Sequence, residues 1–211
     1  MDVERIDAVL LDLDRTLVDV ESEVDYCAAL ADLRQAGFAR GDELGAATSW
    51  GSCTRQVIDL LLGLQDRSSW RHADDLVVPH EMAGAGRGQA MPGLAELMAA
   101  VARFPVAIVT LLSAPATDVV VERHALPVDA VVARSFEVRA KPHPDQVLAA
   151  LDLLGVEARV AVMVGDSERD EVAALAAGVA FVGLTNGRAA HRFAATTPRA
   201  RDLRAVAELL G

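Results

Sequence analysis

The sequence predicts an α/β fold, a parallel sheet core that is interrupted after its first strand by an all-helical cap. Two patterns indicate this fold. First, short apolar runs alternate with helical stretches of about ten residues, as in βαβ units whose sheet is covered on both faces. Second, between residues 20 and 90 the chain reads as successive helices without a comparable strand pattern. The apolar runs are residues 6–11, 105–110, 128–132, 160–164 and 179–184.

Composition places the chain among globular proteins and limits its partners. It has 211 residues, of which 52% are hydrophobic, and a formal net charge of −11. The acidic balance argues against nucleic acid and anionic membrane surfaces as partners. No apolar run approaches the roughly 20 residues of a membrane span. Cys27 and Cys53 are too few for a disulfide scaffold and lack metal-ligand spacing, so we expect a cytoplasmic protein in a reducing compartment. We also expect a monomer or a homodimer.

The elements follow in order from this pattern. The first strand, residues 6–11, leads into a segment with predicted helices at 22–35, 54–62 and 69–82, which we interpret as the cap. Clustered glycines at residues 84–88 predict a flexible return to the core. Helices that alternate with the remaining strands are predicted at 93–103, 116–124, 144–154 and 168–177. The predicted domains are therefore a core of residues 1–19 and 91–211 and a cap of residues 20–90.

Two carboxylates follow the first predicted strand. Asp12 and Asp14 are two residues apart, a spacing that puts side chains on the same side of an extended segment. The carboxyl ends of parallel strands are where ligands bind in open α/β sheets. Two like charges placed close together are costly unless a cation or a proton compensates them. The alternative interpretation is a solvated turn or a helix cap, in which Asp is also common.

A second acidic motif, Gly165-Asp166-Ser167 followed by Asp170, ends the fourth predicted strand and begins a helix. Asp166 as the helix N-cap is the structural alternative. That alternative does not require Asp170, which lies four residues further along and can face the same side as Asp166.

Lys141 is the only lysine in a chain with 20 basic residues. It lies between two predicted core elements and is followed by Pro142. The simple alternative is that Lys141 is an exposed loop residue. Every other basic residue of the chain is Arg, however, and a compact ammonium is not equivalent to a planar guanidinium. The single lysine therefore suggests a role that Arg cannot fill. Thr110, at the predicted end of the second core strand, adds a hydroxyl whose signal is weak on its own.

Taken in this order, the motifs resemble those of the haloacid dehalogenase superfamily of hydrolases, and the resemblance covers essentially the whole chain. It implies a Rossmann-like core and a helical cap of the phosphoglycolate phosphatase-like and β-phosphoglucomutase-like type. The matching residues are Asp12, Asp14, Thr16, Thr110, Lys141, Pro142, Gly165, Asp166, Ser167 and Asp170.

The resemblance implies a mechanism for a small phosphorylated metabolite. Asp12 would attack phosphorus and form an aspartyl-phosphate, and Asp14 would act as general acid and then general base. Mg²⁺ would be held by Asp12, the backbone carbonyl of Asp14, and Asp166. Thr110 and Lys141 would hold phosphoryl oxygens. Asp170 and Ser167 would have supporting roles.

Two positions depart from the family pattern. Arg15 replaces the usual glycine after the second aspartate and must adopt a backbone conformation that glycine adopts more easily. Leu111 replaces the asparagine that often follows the second-motif hydroxyl. Both lie close enough to the motifs to be candidate substrate contacts, and Thr54 and Arg55 are the corresponding candidates in the cap.

The function that we predict is a Mg²⁺-dependent phosphatase acting on a small phosphomonoester. Within the family, dehalogenases lack the second aspartate, which this chain has as Asp14. Phosphonoacetaldehyde hydrolases of the family need a cap lysine that forms an imine with the substrate, and residues 20–90 contain no lysine. Two alternatives remain open, a phosphosugar mutase and a catalytically idle binding or regulatory protein.

Overall fold

A computed structural model of the chain describes residues 6–38, 51–65, 67–188 and 192–211. Its helices and strands confirm the predicted α/β class. In chain order they are β1 (Ala8–Leu11), β2 (Val18–Asp19), α1 (Tyr26–Gln35), α2 (Ser52–Leu64), α3 (Trp70–Ala85), β3 (Gln89–Ala90), α4 (Leu94–Val101), β4 (Val106–Ser113), α5 (Ala114–Arg123), β5 (Ala130–Arg134), α6 (Asp145–Leu154), β6 (Ala161–Gly165), α7 (Glu168–Ala176), β7 (Ala180–Leu184), β8 (Arg199–Ala200) and α8 (Leu203–Leu210).

The main sheet has six parallel strands in the order β5-β4-β1-β6-β7-β8. β1 is central and pairs with β4 on one side and β6 on the other. The three strands that precede the predicted motifs are therefore neighbours, and their carboxyl ends meet at one edge of the sheet.

The alternation of side chains along β1 divides the core into two layers. Val9 and Leu11 pack in a cluster with residues of α4, α5 and α8, whereas Ala8 and Leu10 pack in a second cluster with residues of α6 and α7. All four residues are fully buried, as expected for the central strand of a parallel sheet covered on both faces. The burial of this strand holds the chain rigid up to the residue before Asp12.

The segment between β2 and β3 carries the helices α1, α2 and α3 and is joined to the core through a short two-stranded ribbon. β2 and β3, which lie at the two ends of the predicted cap, pair antiparallel. The predicted glycine linker begins later than expected, because Gly84 lies inside α3. A Cβ at Gly84 would come within 2.3 Å of a Val24 side-chain carbon, so this glycine permits close packing of the helix.

The core differs most from the sequence-based expectation at β4, β5, β8 and α8. β4 continues to Ser113, three residues beyond its expected end at Thr110, and β5 begins and ends two residues later than expected. β8 and α8 were not predicted. The signal for α8 is present in the sequence: Asp202 caps it by accepting a hydrogen bond from the Ala205 N–H at 2.9 Å, and its apolar residues follow helical spacing. None of the helices in the described part of the chain is long and apolar enough to cross a membrane.

A disulfide that the sequence did not indicate joins Cys27 of α1 to Cys53 of α2. Disulfides persist in oxidising environments, so this bond weighs against the expected reducing compartment. The two cysteines are 26 residues apart, and no local spacing marks them as partners. They meet because α1 and α2 pack together.

Reduction of Cys27–Cys53 is expected to lower the free energy of unfolding by about 3 kcal/mol, because a cross-link over this sequence separation restricts the unfolded chain. Denaturant unfolding with and without a phosphine reductant measures the change. The Cys27→Ser/Cys53→Ser double variant is the control: it should match the reduced protein and should not respond to reductant. Coincident unfolding curves of oxidised and reduced wild type would contradict the prediction.

Candidate active site

A cavity opens where the carboxyl ends of β1, β4 and β6 meet, and the predicted cap helices α1 and α2 cover it. From the core, the residues that line it are Asp12, Asp14, Thr110, Leu111, Leu112, Lys141, Asp166, Ser167 and Asp170; from the covering segment they are Glu21, Tyr26, Thr54 and Ile58. The structure thus brings together every predicted site residue except Arg15 and Arg55.

Lys141 lies at the floor of this cavity and is 1% exposed. Its Nζ is 2.8 Å from Asp12 Oδ1, 2.5 Å from Asp170 Oδ1, and 2.7 Å from the Val109 carbonyl oxygen, to which it donates. These three acceptors match the three donors of an ammonium. Burial by itself would lower the pKa of Lys141, but the carboxylates of Asp12 and Asp170 outweigh it and raise that pKa above its ordinary value. The lysine is therefore a fixed positive charge.

Asp12 follows β1 directly and is held from two sides. Its Oδ1 accepts from Lys141, and its Oδ2 accepts from the Thr16 hydroxyl at 2.8 Å. Burial raises the pKa of Asp12 to about 6, against the opposing effect of Lys141. The carboxylate is thus ionised at neutral pH and held in one orientation, as a nucleophile must be.

Asp14 differs from Asp12 in its surroundings. Its Oδ1 accepts from the backbone N–H groups of Val20 and Glu21, both at 2.9 Å. Burial raises the pKa of Asp14 well above its ordinary value, and these hydrogen bonds offset only part of the effect. A carboxylate held by an ammonium beside a carboxyl group whose pKa burial raises is the contrast on which a nucleophile and a general acid depend.

Asp166 completes an acidic cluster. Ligand atoms of Asp12, Asp166 and Asp170 lie within 4.8 Å of one another. Burial and then the neighbouring carboxylates raise the pKa of Asp166 to about 7, while Arg188 opposes the rise through a 2.7 Å hydrogen bond from Nη2 to Oδ2. A buried cluster of three carboxylates that offers only oxygen ligands fits Mg²⁺. Lys141 contacts both Asp12 and Asp170, and Arg188 contacts Asp166. Asp12 and Asp166 are the two of these carboxylates that the family resemblance predicts as ligands.

The local geometry at the end of β6 depends on Gly165. The N-cap of α7 is Ser167 and not Asp166, so the simple alternative for Asp166 is wrong. Ser167 donates from its backbone N–H and its hydroxyl to Asp170 Oδ2, at 3.0 and 2.6 Å. A Cβ at Gly165 would come within 2.6 Å of the Asp170 Cβ, so glycine is required for Asp170 to approach the strand end and Lys141.

The end of β4 is held by side chains in addition to the sheet, which pairs Ser113 with Arg134. The register between β4 and β5 shifts between Val109 and Ser113. The carbonyl of Val109 accepts from Lys141, and the carbonyl of Thr110 accepts from Gln146 Nε2 at 3.0 Å. The Thr110 hydroxyl accepts from the Leu112 N–H at 3.2 Å, within the cavity wall.

The two departures from the family pattern are placed differently. Arg15 has a φ of 60°, in the left-handed region that favours glycine, as its position predicts. Its side chain pairs with Glu21 at 2.7 Å, and its Nε lies 3.9 Å from Asp166, outside the residues that line the cavity. Leu111 does line the cavity. In the covering segment Thr54 lines it, whereas its buried neighbour Arg55 does not.

The sequence did not indicate four polar residues of the site, namely Glu21, Tyr26, Gln146 and Arg188, or the apolar lining residues Ile58 and Leu112. Each is a common residue in an amphipathic or polar stretch, and none belongs to a short motif. Gln146 is buried in α6 together with Val147, Ala150 and Leu151, and only the fold shows that it faces β4.

Comparison with known proteins agrees with this geometry. Residues 6–178 match the family model described as haloacid dehalogenase-like hydrolase. A curated protein named probable phosphatase IndB, from Dickeya dadantii, is 27% identical over 187 residues, which cover 85% of this chain and 81% of that protein.

Solved structures show the same fold. A haloacid dehalogenase-superfamily hydrolase of subfamily IA from Geobacter sulfurreducens is 24% identical, with a TM-score of 0.65 over 98% of this chain and 97% of that one. A putative phosphoglycolate phosphatase from Lactobacillus plantarum is 18% identical, with a TM-score of 0.70 over 97% of this chain and 99% of that one. With the family model covering most of its length, the chain belongs to the haloacid dehalogenase-like hydrolase family.

Proposed function

We propose that the protein is a Mg²⁺-dependent phosphatase that hydrolyses a small phosphomonoester through an aspartyl-phosphate on Asp12. The observation that carries this proposal is the pairing of an ionised Asp12 with the buried Lys141, beside an Asp14 whose pKa is raised. The resemblance of the chain to IndB, whose name is probable phosphatase, supports the same reaction class.

In the first half of the proposed reaction, an Asp12 carboxylate oxygen forms a bond to phosphorus as the bond to the leaving oxygen breaks. Asp14 donates its proton to that oxygen. Thr110 and Lys141 hold the phosphoryl oxygens, so the developing charge meets donors that are already oriented. In the second half, Asp14 takes a proton from water as the water attacks the phosphoenzyme, which releases phosphate and restores Asp12.

Asp12, Asp166 and the backbone carbonyl of Asp14 would hold the Mg²⁺ ion. When bound, the ion compensates the clustered carboxylates and neutralises charge on the transferring group. Arg188, which bonds Asp166, and Asp170, which bonds Lys141, orient these groups from behind.

The covering segment forms the side of the cavity on which the leaving group would lie. It contributes the carboxylate of Glu21, the hydroxyls of Tyr26 and Thr54, and the apolar side chain of Ile58. These oxygens suit a leaving group that carries hydroxyls. The cavity measures about 30 Å³, room for roughly two water molecules. We therefore propose that the covering helices α1 and α2 open to admit a phosphomonoester.

A phosphate-release screen tests the proposal. The panel contains sugar phosphates, phosphoglycolate, nucleotides, phospho-amino acids and an aryl phosphate, each with Mg²⁺. Hydrolysis of at least one compound is expected, and release from none by folded, Mg²⁺-replete protein would overturn the proposal. Interconversion of phosphosugar isomers without phosphate release would favour a mutase. An idle protein would be favoured by Arg15 filling the cavity, but Arg15 pairs with Glu21 instead.

Removal of Mg²⁺ with EDTA is expected to abolish hydrolysis, and Asp166→Asn is expected to weaken Mg²⁺ binding by at least about tenfold, because a carboxylate ligand is lost. Calorimetric titration with Mg²⁺ measures the affinity. Glu168→Gln is the matched control, since this acid lies two residues away on α7 and pairs with Arg192 outside the cluster. Equal Mg²⁺ affinity of Asp166→Asn and wild type would contradict the assignment of this ligand.

A further inference from the structure

A second buried charge cluster lies behind the wall of the cavity, and the reaction above does not use it. Arg134, the last residue of β5, and Glu81, inside α3, form a bidentate pair: Nη1 to Oε1 is 2.8 Å and Nη2 to Oε2 is 3.1 Å. The Arg134 side chain is 1% exposed and that of Glu81 is 0% exposed. Asp74, also on α3, accepts from Arg134 Nε at 2.8 Å.

Both members of the pair also hold the backbone at the end of β4. Arg134 Nη1 donates to the Leu111 carbonyl at 2.5 Å, and the Ser113 N–H donates to Glu81 Oε2 at 2.9 Å. On its other side, Glu81 Oε1 accepts from the Tyr26 hydroxyl at 3.3 Å. The pair therefore touches both walls of the cavity, because Leu111 lines it from the core and Tyr26 lines it from the covering segment.

A buried ion pair is by itself weak evidence for a role in stability. Replacing a buried ion pair with apolar side chains of similar volume is often neutral or stabilising, because desolvating two charges is costly. The β4 end, in contrast, needs such partners, since its register with β5 shifts between Val109 and Ser113. Core side chains hold the carbonyls of Val109 and Thr110, and the next attachments, at Leu111 and Ser113, come from the Arg134–Glu81 pair.

We propose that Glu81 and Arg134 are positioning residues for the phosphoryl site: they hold residues 111–113, which follow Thr110, in the geometry that binds the phosphoryl group, and they hold Tyr26 on the leaving-group side. Glu81 belongs to α3 and Arg134 to the core sheet, so the site is complete only while α3 is docked on the core. This inference rests on the proposed phosphatase function.

The test compares Glu81→Gln with Asp74→Asn. The glutamine keeps the shape of the side chain but loses the charge, and its NH₂ group would face the donors of Ser113, Tyr26 or Arg134. Asp74→Asn is the matched control, because in the described part of the chain Asp74 accepts from the same guanidinium but forms no hydrogen bond with a residue that lines the cavity. Binding of inorganic phosphate in the presence of Mg²⁺ is measured by calorimetry, with thermal unfolding and amide exchange of Ser113 alongside.

Glu81→Gln is expected to weaken phosphate binding about tenfold and to speed exchange of the Ser113 amide, because a charge-assisted hydrogen bond is lost. Asp74→Asn is expected to change phosphate binding by less than about twofold, even where both variants lose thermal stability. The inference would be overturned, and a structural role alone shown, if Glu81→Gln bound phosphate with wild-type affinity. The same holds if Asp74→Asn lost as much phosphate affinity as Glu81→Gln. If Glu81→Gln fails to fold, Arg134→Lys replaces it, because a lysine cannot form the bidentate pair. The same tenfold loss of phosphate affinity is then expected, and wild-type affinity would overturn the inference.

The binding measurement separates the two proposals. Wild type that binds phosphate but hydrolyses no compound of the panel would overturn the phosphatase proposal, while the phosphate affinity of the variants still decides the positioning role. Hydrolysis by wild type together with unchanged phosphate binding in Glu81→Gln would overturn the positioning role alone. Wild type that binds no phosphate would overturn both.

Discussion

Asp12→Asn is expected to reduce phosphate release by at least about 10⁴-fold, the order of loss seen when an enzyme's nucleophile is removed. The amide has nearly the shape of the carboxylate, and the Thr16 hydroxyl and Lys141 can still approach it. It has no ionised oxygen with which to attack phosphorus, however, so the covalent step is lost. Steady-state phosphate release from an aryl phosphate at saturating Mg²⁺ measures the effect.

The control for Asp12→Asn is the same substitution at Asp118, an exposed residue of α5, which should keep wild-type activity. Thermal unfolding of both variants separates loss of the nucleophile from loss of the fold. Trapping a covalent phosphoenzyme in the wild type, and its absence from Asp12→Asn, would support the assignment. More than a tenth of wild-type activity in folded Asp12→Asn would exclude Asp12 as the nucleophile.

The part of the site that the sequence predicts is the part carried by strand ends. Asp12 and Asp166 follow β1 and β6, whose apolar runs are visible as patterns, and parallel pairing then brings the two carboxylates to one edge of the sheet. Lys141 was singled out for a different reason, because it is the only lysine of the chain. Its three buried acceptors give that observation a physical basis.

The part that the sequence does not predict depends on contacts between distant segments. Glu81 and Arg134 are 53 residues apart, and each is one charged residue among many in its own segment. The register shift at the end of β4 leaves no trace in hydropathy, because Leu111 and Leu112 continue an apolar run. Cys27 and Cys53 meet only because α1 and α2 pack side by side, which helical periodicity does not specify.

Lys141→Arg is expected to lower kcat/KM by about 10²- to 10³-fold, although it keeps the positive charge and uses the basic residue found everywhere else in the chain. The Lys141 ammonium is 1% exposed and lies between Asp12, Asp170 and the Val109 carbonyl, at 2.5 to 2.8 Å from each acceptor. A guanidinium is larger and planar, so it cannot donate to all three from one point without displacing Asp12. The loss should therefore arise from misplacement of the nucleophile and of the phosphoryl group, and not from loss of charge.

The reverse exchange at a neighbouring position is the matched control for Lys141→Arg. Arg139 lies two residues away, is 56% exposed in its side chain and pairs with Asp145 at the surface, so Arg139→Lys should leave kcat/KM within about twofold of wild type. Both variants are assayed with the same aryl phosphate, and thermal unfolding shows whether each is folded. Full activity in Lys141→Arg would mean that a positive charge of any shape suffices at this place, and the three-acceptor geometry would then have no catalytic consequence. A loss confined to Lys141→Arg would instead show that the compact ammonium, held by two carboxylates and a carbonyl, is what positions Asp12 for attack.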